Sequence, residues 1–242
     1  MEEKKGLRIN KFFTEAGYCS RRQADQYVEQ GRVTINGVKA VMRSKISDSD
    51  EVRLDGKLIA AKNDDFIYIV FNKPRGIVCT TDTKREKKNI IDYIKFPERI
   101  FPIGRLDKDS QGLIFLTNDG DIVNQILRSK NGNEKEYLVK VKEPIGPDFI
   151  RKMGNGVPIL GTITKKCFVE QIDEYRFRIV LTQGLNRQIR RMTEYFGNEV
   201  VKLQRVRIMN VKIDIPIGKW RFLTNSEITE IKSRLTDASK TN

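Results

Sequence analysis

The sequence predicts an α+β protein of two domains, a small one over residues 7–60 and a larger one over residues 66–235. Predicted strands and helices follow one another without the regular strand–helix–strand repeat of a parallel sheet. The larger domain should therefore contain a mixed, largely antiparallel sheet with helices on its faces. The polar stretch AKNDD, at 61–65, is typical of a linker, and 242 residues are enough for both domains.

The small domain begins with two short predicted helices. Apolar residues at helical spacing predict the first over Leu7–Ala16, and Gly17 should end it. Ser20 is a favourable N-cap for a second helix, SRRQADQYVEQ, and Gly31 is the glycine expected just after the end of that helix.

Two hairpins follow these helices. VTINGVKAV places Asn36-Gly37 between two alternating strands, and EVRLDGKLI does the same with Asp55-Gly56. Asn-Gly and Asp-Gly favour the tight turns in which φ is positive at both central positions. Helices and hairpins together predict a compact α+β module.

The larger domain begins with a strand of the buried type and ends with a capped helix. Thr224 and Glu227 are spaced as a capping box before that last helix. In chain order, the predicted elements are strand FIYIVFNKP, strand LIFL, helix DIVNQILRS, strand KEYLVKV, helix PDFIRKMGNG, paired strands TKKCFVEQI and YRFRIVLT, helix NRQIRRMTEYFG, the strand-rich VVKLQRVRIMNVKI and helix TNSEITEIKSRL.

The net charge of +14 indicates a polyanionic partner. Nucleic acid and an anionic membrane are both polyanionic partners. A charge that only makes the protein more soluble is the third alternative. No run of about 18 apolar residues could span a bilayer, and the charged N-terminus MEEKKGLRIN lacks the apolar core of a signal peptide. Nucleic acid is the favoured partner, and no membrane association is expected.

The sequence contains no histidine, which limits the enzyme mechanisms available. A Ser-His-Asp or Cys-His mechanism is excluded, and any catalysis must use carboxylates, Lys, Tyr, Cys or Ser. The cysteines are Cys19, Cys79 and Cys167, far apart in the chain, so neither a disulfide framework nor a zinc site is expected. This cysteine usage is typical of a reducing cytoplasm.

Arg21 and Arg22 occupy the first turn of the second predicted helix. Positive charge there opposes the helix dipole and lowers the stability of the helix. A residue that is kept despite such a loss of stability is often functional. Two solvated arginines are the alternative explanation. The pattern C-S-R-R-x-A-D-x-x-V-x-x-G-x-V-x-x-N-G, which begins at Cys19, resembles the S4 RNA-binding module. The resemblance implies that both arginines contact RNA.

The stretch FPIGRLDKDSQGLIFLTNDG places one carboxylate, Asp107, between two cations just before an apolar run. Arg105 and Lys108 should stabilise its charged form, which suits a nucleophile or an electrostatic group better than a proton donor. Gly104 and Gly112 permit tight backbone geometry and close approach of a ligand. A structural aspartate that caps a turn or pairs with Arg105 is the alternative, and spacing alone favours it.

A second basic cluster lies in GLNRQIRRM, where Arg187, Arg190 and Arg191 open a predicted helix. Helical spacing places Arg187 beside both of the others. The cluster could bind phosphates, or one arginine could turn inward and pair with a buried carboxylate. A solvated basic face is the alternative, but it leaves the crowding at the unfavourable end of the helix dipole unexplained.

Four segments stand in a familiar order: NKPRG (72–76), GRLDKDSQGL (104–113), KEY (135–137) and GLNRQIRRM (184–192). Together they resemble the motif series of pseudouridine synthases. With the S4-like module in front, the chain resembles the RsuA/RluB/RluF family, which modifies ribosomal RNA, over about Leu7–Leu235. IGRLDKDSQGLIFLTN and VPILGTITKKC look closest to its RluF branch. RluF-type chains carry a longer basic tail, whereas this sequence ends at Asn242.

The family resemblance implies that Asp107 is the catalytic nucleophile of an isomerase. Such an enzyme detaches uracil from its ribose, rotates it and rejoins it through carbon 5, with no cofactor and no metal. Attack of the carboxylate on the sugar and formation of a glycal are both open. The resemblance also implies that Arg190 pairs with Asp107 and keeps it ionised. Tyr137 would pack on the uracil and be available for proton transfer, and Lys73 would belong to a motif that shapes the site.

The implied partner is large-subunit (23S) ribosomal RNA, with a tRNA as a second candidate, and the expected enzyme is a cytoplasmic monomer. The target uridine must leave its stack to reach a pocket, which Leu106 and Ile189 are expected to line. The other residues expected to contact RNA are Arg21, Arg22, Lys73, Arg105, Lys108, Arg187, Gln188 and Arg190.

Two other functions compete with this interpretation. A non-catalytic S4-type RNA-binding or ribosome assembly factor would explain the basic charge and the S4-like module equally well. Binding alone, however, needs no carboxylate such as Asp107 combined with Arg190 and Tyr137. A nucleic-acid hydrolase that uses carboxylates and a metal would need several acidic ligands, and the GRLD segment has no such cluster.

Overall fold

The computed structural model describes residues 6–60, 66–128 and 132–240, so the predicted linker at 61–65 lies outside the described residues. The chain divides into two compact units. The smaller contains the chain up to Phe66 together with Phe96–Arg99 and Asn118–Gly120, and the larger contains the remainder. Within the described ranges, no helix combines the length and the apolar content needed to cross a membrane.

The smaller unit contains the two helices and the two hairpins that its sequence predicts. The first helix begins later than predicted, because Leu7–Arg8 pairs as a strand with Lys45–Ile46. A four-stranded sheet has the order β3-β2-β5-β6. The elements are β1 (Leu7–Arg8), α1 (Ile9–Glu15), α2 (Arg21–Glu29), β2 (Val33–Ile35), β3 (Val38–Lys39), β4 (Lys45–Ile46), β5 (Val52–Leu54) and β6 (Lys57–Leu58).

Local turn and cap chemistry sets several of these boundaries. The Ser20 hydroxyl accepts a hydrogen bond from the Gln23 backbone N–H at 3.2 Å, which confirms the predicted N-cap of α2. Asn36 and Gly37 have φ values of 50° and 79°, the positive values that a type I′ turn requires. The hairpin predicted there is confirmed by the antiparallel pairing of β2 with β3.

The larger unit contains the predicted elements and several short ones that the sequence did not reveal. Elements of two to five residues, such as α3, β8, β11, β12 and β17 below, are too short to show a hydrophobic period. The elements are β7 (Tyr68–Lys73), α3 (Ile90–Ile94), β8 (Phe101–Ile103), β9 (Gln111–Thr117), α4 (Gly120–Leu127), β10 (Lys135–Val141), α5 (Phe149–Gly154), β11 (Pro158–Ile159), β12 (Thr162–Ile163), β13 (Phe168–Asp173), β14 (Arg176–Leu181), α6 (Gln188–Tyr195), β15 (Val200–Ile208), β16 (Val211–Lys212), β17 (Trp220–Phe222) and α7 (Asn225–Lys240).

The larger unit is built on a nine-stranded sheet. Its main order is β13-β14-β10-β15-β9-β7-β17, with β16 against β15 and β8 against β9. Among the described strands of this sheet, β15 and β9 run parallel and the other pairs run antiparallel. The predicted mixed, largely antiparallel sheet is therefore confirmed. Every residue of β7 and of β9 is buried, as their continuous apolar runs predict.

Helices cover two apolar cores of the larger unit. Residues of α4 and α7 pack with Leu113 and Phe115 of β9 in one core, and residues of α5 and α6 pack with β10 and β14 in the other. On α6, Ile189 and Met192 are buried and Phe196 is half-buried, as the helical spacing predicts. The capping box before α7 forms, because the Thr224 and Glu227 side chains each accept a hydrogen bond from the other residue's backbone N–H. The loop that carries Asp107 thus leads directly into the buried centre of the sheet.

Candidate active site

A cleft of about 590 Å³ opens within the larger unit. Its walls come from the loop between β8 and β9, from β10 and β15, and from the segment that leads into α6. This volume lies in the range of pockets that hold a small ligand. The expected site residues that line it are Arg105, Leu106, Asp107, Tyr137, Arg187, Gln188 and Ile189.

Asp107 lies in this cleft on the loop that precedes β9. About a third of its side chain (34%) is exposed, and its Oδ2 atom is 4.0 Å from Nη1 of Arg187, whose side chain is 41% exposed. An ion pair this long and this exposed contributes little stability. The carboxylate is therefore accessible to a ligand and only loosely held by its cationic neighbour.

The backbone of the Asp107 loop is held by hydrogen bonds on both sides. The Gly76 N–H donates to the Lys108 carbonyl at 2.7 Å, and the Leu106 N–H donates to Sγ of Cys79 at 3.4 Å. Ser110 N–H closes a turn onto the Asp107 carbonyl at 3.0 Å. A site whose supporting backbone is fixed in this way holds its functional group in a defined position before a ligand binds.

Lys73 supports the segment that contacts this loop. Its side chain is fully buried, and its ammonium donates to the carbonyls of Pro74 and Ile77 at 2.9 and 2.8 Å. Burial lowers the pKa of this lysine. The ammonium that was expected to contact RNA is thus enclosed by its own loop. The lysine shapes the NKPRG segment, whose Gly76 then fixes Lys108.

Arg190 is turned inward, with only 7% of its surface exposed. Its guanidinium donates to the carbonyls of Val200 and Asp109 at 3.0 and 3.2 Å and lies 3.5 Å from the Ser110 hydroxyl. Burial lowers the pKa of this arginine, and the charge of Asp107 acts in the opposite direction. The donors of Arg190, which was also expected to contact RNA, are thus directed into the protein.

The direct pairing implied between Arg190 and Asp107 is not made in this structure. Among the described side chains, it is Arg187, not Arg190, whose guanidinium comes within 4.0 Å of the Asp107 carboxylate. Arg190 instead holds the backbone just beyond the aspartate, through the Asp109 carbonyl. Its influence on Asp107 is therefore exerted through position and through the field of a buried charge.

The segment before α6 presents Arg187 to the cleft. Arg187 precedes the helix with φ 49° and ψ 35°, a left-handed conformation that costs a non-glycine residue about 1 kcal/mol. Gln188, expected to contact RNA, is buried, and its Oε1 accepts a hydrogen bond from the Leu185 N–H at 3.0 Å. The amide thereby closes the turn that gives Arg187 its position. Local strain of this kind is often retained at functional sites.

Tyr137 and two apolar side chains contribute apolar surface to the cleft. Tyr137 is half-buried on β10, and Leu106 and Ile189 are buried. All three line the cleft. An aromatic ring beside apolar side chains offers a flat base a stacking surface.

Three other expected RNA contacts lie outside the cleft lining. Lys108 is exposed next to Asp107, and Arg21 and Arg22 are exposed at the start of α2 in the smaller unit. Their exposure is compatible with phosphate contacts, which position a nucleic acid without reading its bases.

Sequence reasoning missed two cations of the cleft, Lys135 and Arg205. Lys135 stands two residues before Tyr137 on a strand, and this spacing should have placed both on one face. Arg205 stands in the apolar strand β15, where a charge is unexpected, and it is almost completely buried. Further lining residues that the sequence did not single out are Phe115, Gln183, Asn186 and Leu203.

Comparison with known proteins matches both parts of the chain. The model of the RNA pseudouridylate synthase family matches residues 67–195, and the S4 domain model matches residues 7–52. The chain is 57% identical over 226 residues to the dual-specificity RNA pseudouridine synthase RluF of Salmonella typhi, covering 93% of this chain and 78% of that protein. The match to the protein of the same name from Shigella flexneri is 54% identical over 235 residues, covering 96% and 81%.

More distant relatives extend the match. The ribosomal large subunit pseudouridine synthase B of Bacillus subtilis (strain 168) is 32% identical over 236 residues, covering 93% of this chain and 96% of that one. A solved structure described as a crystal structure of pseudouridylate synthase superposes with a TM-score of 0.68 at 32% identity, covering 93% and 99%.

These matches extend over both units and include the segments that form the cleft. They favour an enzyme, an isomerase, over the non-catalytic binding factor that the basic charge alone would allow. A cleft containing an accessible carboxylate agrees with that choice. The chain belongs to the RNA pseudouridylate synthase family, in its RsuA/RluB/RluF branch.

Proposed function

We propose that this protein isomerises a specific uridine of large-subunit ribosomal RNA to pseudouridine, with Asp107 as the nucleophile. The observation that carries the proposal is Asp107 itself, the one acidic side chain among the described residues that line the cleft. It is exposed by about a third, and hydrogen bonds hold the backbone of its loop. In this reaction the N1–C1′ bond breaks, uracil rotates, and a C5–C1′ bond forms, while the C5 proton leaves to water and N1 takes up a proton. Asp107 would attack the sugar or promote glycal formation.

The shape of the cleft supports a flipped nucleotide as the reacting group. A base that is stacked in an RNA helix cannot reach a carboxylate inside a cleft, so the uridine must be extruded from its stack. Tyr137, Leu106 and Ile189 would then contact the base, while Arg105 and Arg187, both exposed at the cleft, would contact the adjoining phosphates.

The names of the relatives support the substrate class. A large-subunit target agrees with the name of the Bacillus subtilis relative, and a second substrate agrees with the dual specificity named for the Salmonella typhi relative. We propose a tRNA as that second substrate, by analogy within the family.

The proposed reaction can be tested by tritium release. Unmodified large-subunit rRNA carrying tritium at C5 of uridine is incubated with the protein, and tritium in water is counted. Release of one tritium per target site is expected, because the C5 proton leaves when C5 bonds to C1′. Tight binding without release, from both the rRNA and a tritiated tRNA pool, would favour the RNA-binding factor instead.

We propose that Arg21 and Arg22 of the smaller unit contact RNA phosphates. The double variant Arg21→Ala/Arg22→Ala should weaken binding and reduce the slope of log K against log salt by about 1–2, because two phosphate contacts are lost. Filter binding between 50 and 300 mM salt would measure the slope.

The matched control for this pair is Arg151→Ala/Lys152→Ala on α5. It removes the same formal charge from two adjacent exposed residues, but both are already paired with Asp148. If the slope of log K against log salt changed equally in both double variants, only the net charge would matter for binding. The result would then contradict an RNA contact by α2.

We further propose that the protein acts as a cytoplasmic monomer. The cysteines are unpaired thiols, and Cys19 and Cys79 are buried, which suits a reducing compartment. Light scattering coupled to gel filtration should give a mass near 28.0 kDa.

A further inference from the structure

Two cations, Lys135 and Arg205, line the cleft, and neither pairs with a carboxylate of the described part of the chain. Lys135 Nζ donates to the Asn133 carbonyl at 3.2 Å, and Arg205 Nε donates to the Leu113 carbonyl at 2.6 Å. Within the described residues, neither lies within 4 Å of a carboxylate, and Nη2 of Arg205 is buried with no hydrogen-bond partner. Leaving a buried donor without a hydrogen-bond partner costs free energy, and a catalytic role is one reason for a native structure to retain such a donor.

Strand pairing places these cations beside the proposed stacking tyrosine. In the antiparallel pairing of β10 with β15, Tyr137 lies opposite Arg205, and Lys135 lies opposite Ile208. A register shift between Glu136 and Tyr137 locally bends β10, yet Lys135 and Tyr137 both line the cleft. Both cations therefore border the space that a base stacked on Tyr137 would occupy.

The charges around Lys135 are mostly positive. Burial, followed by the charge of Arg205, lowers the pKa of Lys135 to about 8. Holding Lys135 near the buried charge of Arg205 lowers the stability of the folded protein. Such losses of stability are typical of functional sites. The titratable and charged side chains that share the cleft with it are Arg105 and Asp107 on the loop before β9, Tyr137 on β10, Arg187 before α6, and Arg205 on β15.

We propose that Lys135 and Arg205 form a cationic floor that stabilises the uracil anion while it is detached from the ribose. This inference rests on the proposed isomerisation. When the N1–C1′ bond breaks, its electron pair leaves with uracil, and the negative charge spreads over N1, O2 and O4. Donors fixed in a dry cleft stabilise such developing charge far more than water does. The same electron pair then returns through C5, which forms the new bond to C1′; where the carboxylate has attacked the sugar, its bond to C1′ breaks in this step. The C5 proton leaves to water and N1 takes up a proton, so that neutral pseudouridine results.

The test compares Lys135→Met with Lys135→Arg in single-turnover tritium release. Lys135→Met should lower the rate at saturating enzyme about 10²–10³-fold, with the dissociation constant for RNA changed less than threefold. Lys135→Arg keeps the charge and should stay within tenfold of wild type. Arg205 is left intact, because its Nε also bonds to the backbone of β9.

The pH profile separates a charge effect from a packing effect. Protonated Lys135 is the active form, so the second-order rate constant of wild type should be level below about pH 8 and fall above it. Lys135→Arg should remain level through this range, because arginine stays charged. Lys135→Met should be uniformly slow and lack the break near pH 8.

The thermal midpoint at pH 7 is the control for folding. Lys135→Met should melt at or above the wild-type temperature, because it removes a cation that has no carboxylate partner. Three outcomes would overturn the proposal: an unchanged rate, a rate loss accompanied by a lower melting temperature in both variants, or weaker RNA binding at an unchanged rate, which would indicate a phosphate contact. If the wild-type protein bound RNA without releasing tritium, the result would contradict the proposed function. It would then contradict this inference as well, because the inference rests on that function.

Discussion

Asp107→Asn should abolish turnover while RNA affinity is retained. The amide keeps the size of the carboxylate but has neither its charge nor its nucleophilic oxygen, so neither sugar attack nor glycal formation can proceed. We expect a single-turnover rate reduced by more than about a thousandfold, as for other nucleophile deletions. The fold should be unaffected, since the carboxylate makes only a long, exposed pair with Arg187. Tritium release and filter binding on the same preparation would measure both quantities.

The matched control is Asp109→Asn in the same loop. Asp109 is exposed, and it is its backbone carbonyl, not its side chain, that accepts from Arg190. The side chain of Asp109 does not line the cleft as that of Asp107 does. Turnover near the wild-type rate is expected for this variant. Equal losses in the two variants, or an active Asp107→Asn, would contradict the role proposed for Asp107.

Gly112→Ala should cost the larger unit about 3–4 kcal/mol of unfolding free energy. Gly112 has φ +112°, and a Cβ there would stand 2.2 Å from the carbonyl oxygen of Arg205 and 2.7 Å from its amide nitrogen. Both contacts are with backbone atoms of β15, the parallel neighbour of β9, so neither can rotate away. The two strands would have to separate at the centre of the sheet.

Urea denaturation followed by fluorescence suits this measurement. Trp220, the one tryptophan of the sequence, lies on β17 of the larger unit and reports on it alone. The control is Gly161→Ala, in the same unit, where φ is +71° but nothing lies within 4 Å of the added Cβ. That variant should lose only about 1 kcal/mol, the cost of the backbone conformation. If the two variants were equally stable, close strand approach would not be what requires Gly112.

The effects of Gly112→Ala should extend to the site. Gly112 follows the Asp107 loop by only a few residues, and its neighbour Arg205 belongs to the proposed cationic floor. Any fraction that remains folded should therefore turn over slowly. Asp107→Asn, in contrast, should remove activity without a change in stability. Comparing the two variants therefore distinguishes a loss of catalysis from a loss of folded structure.

The sequence by itself determined the features that depend on neighbouring residues. Asn36-Gly37 makes a tight turn because these residues tolerate positive φ, and Ser20 caps α2 because its hydroxyl reaches a backbone N–H three residues away. The buried strands β7 and β9 follow from continuous apolar runs. The order of the motifs identified the family and pointed to Asp107, which the structure places in the cleft.

Tertiary structure alone decided which cations face outward and which support the loop. Arg187 and Arg190 are separated by one helical turn, and helical spacing cannot tell which is buried. Arg190 is buried because its guanidinium donates hydrogen bonds to the carbonyls of Asp109 and Val200, which only the fold brings close to it. Lys73 is enclosed because its segment folds back over its ammonium, and Arg205 enters the cleft because β15 pairs with β9 and β10. A buried cation needs partners to replace water, and partners distant in sequence are set by the fold rather than by local pattern.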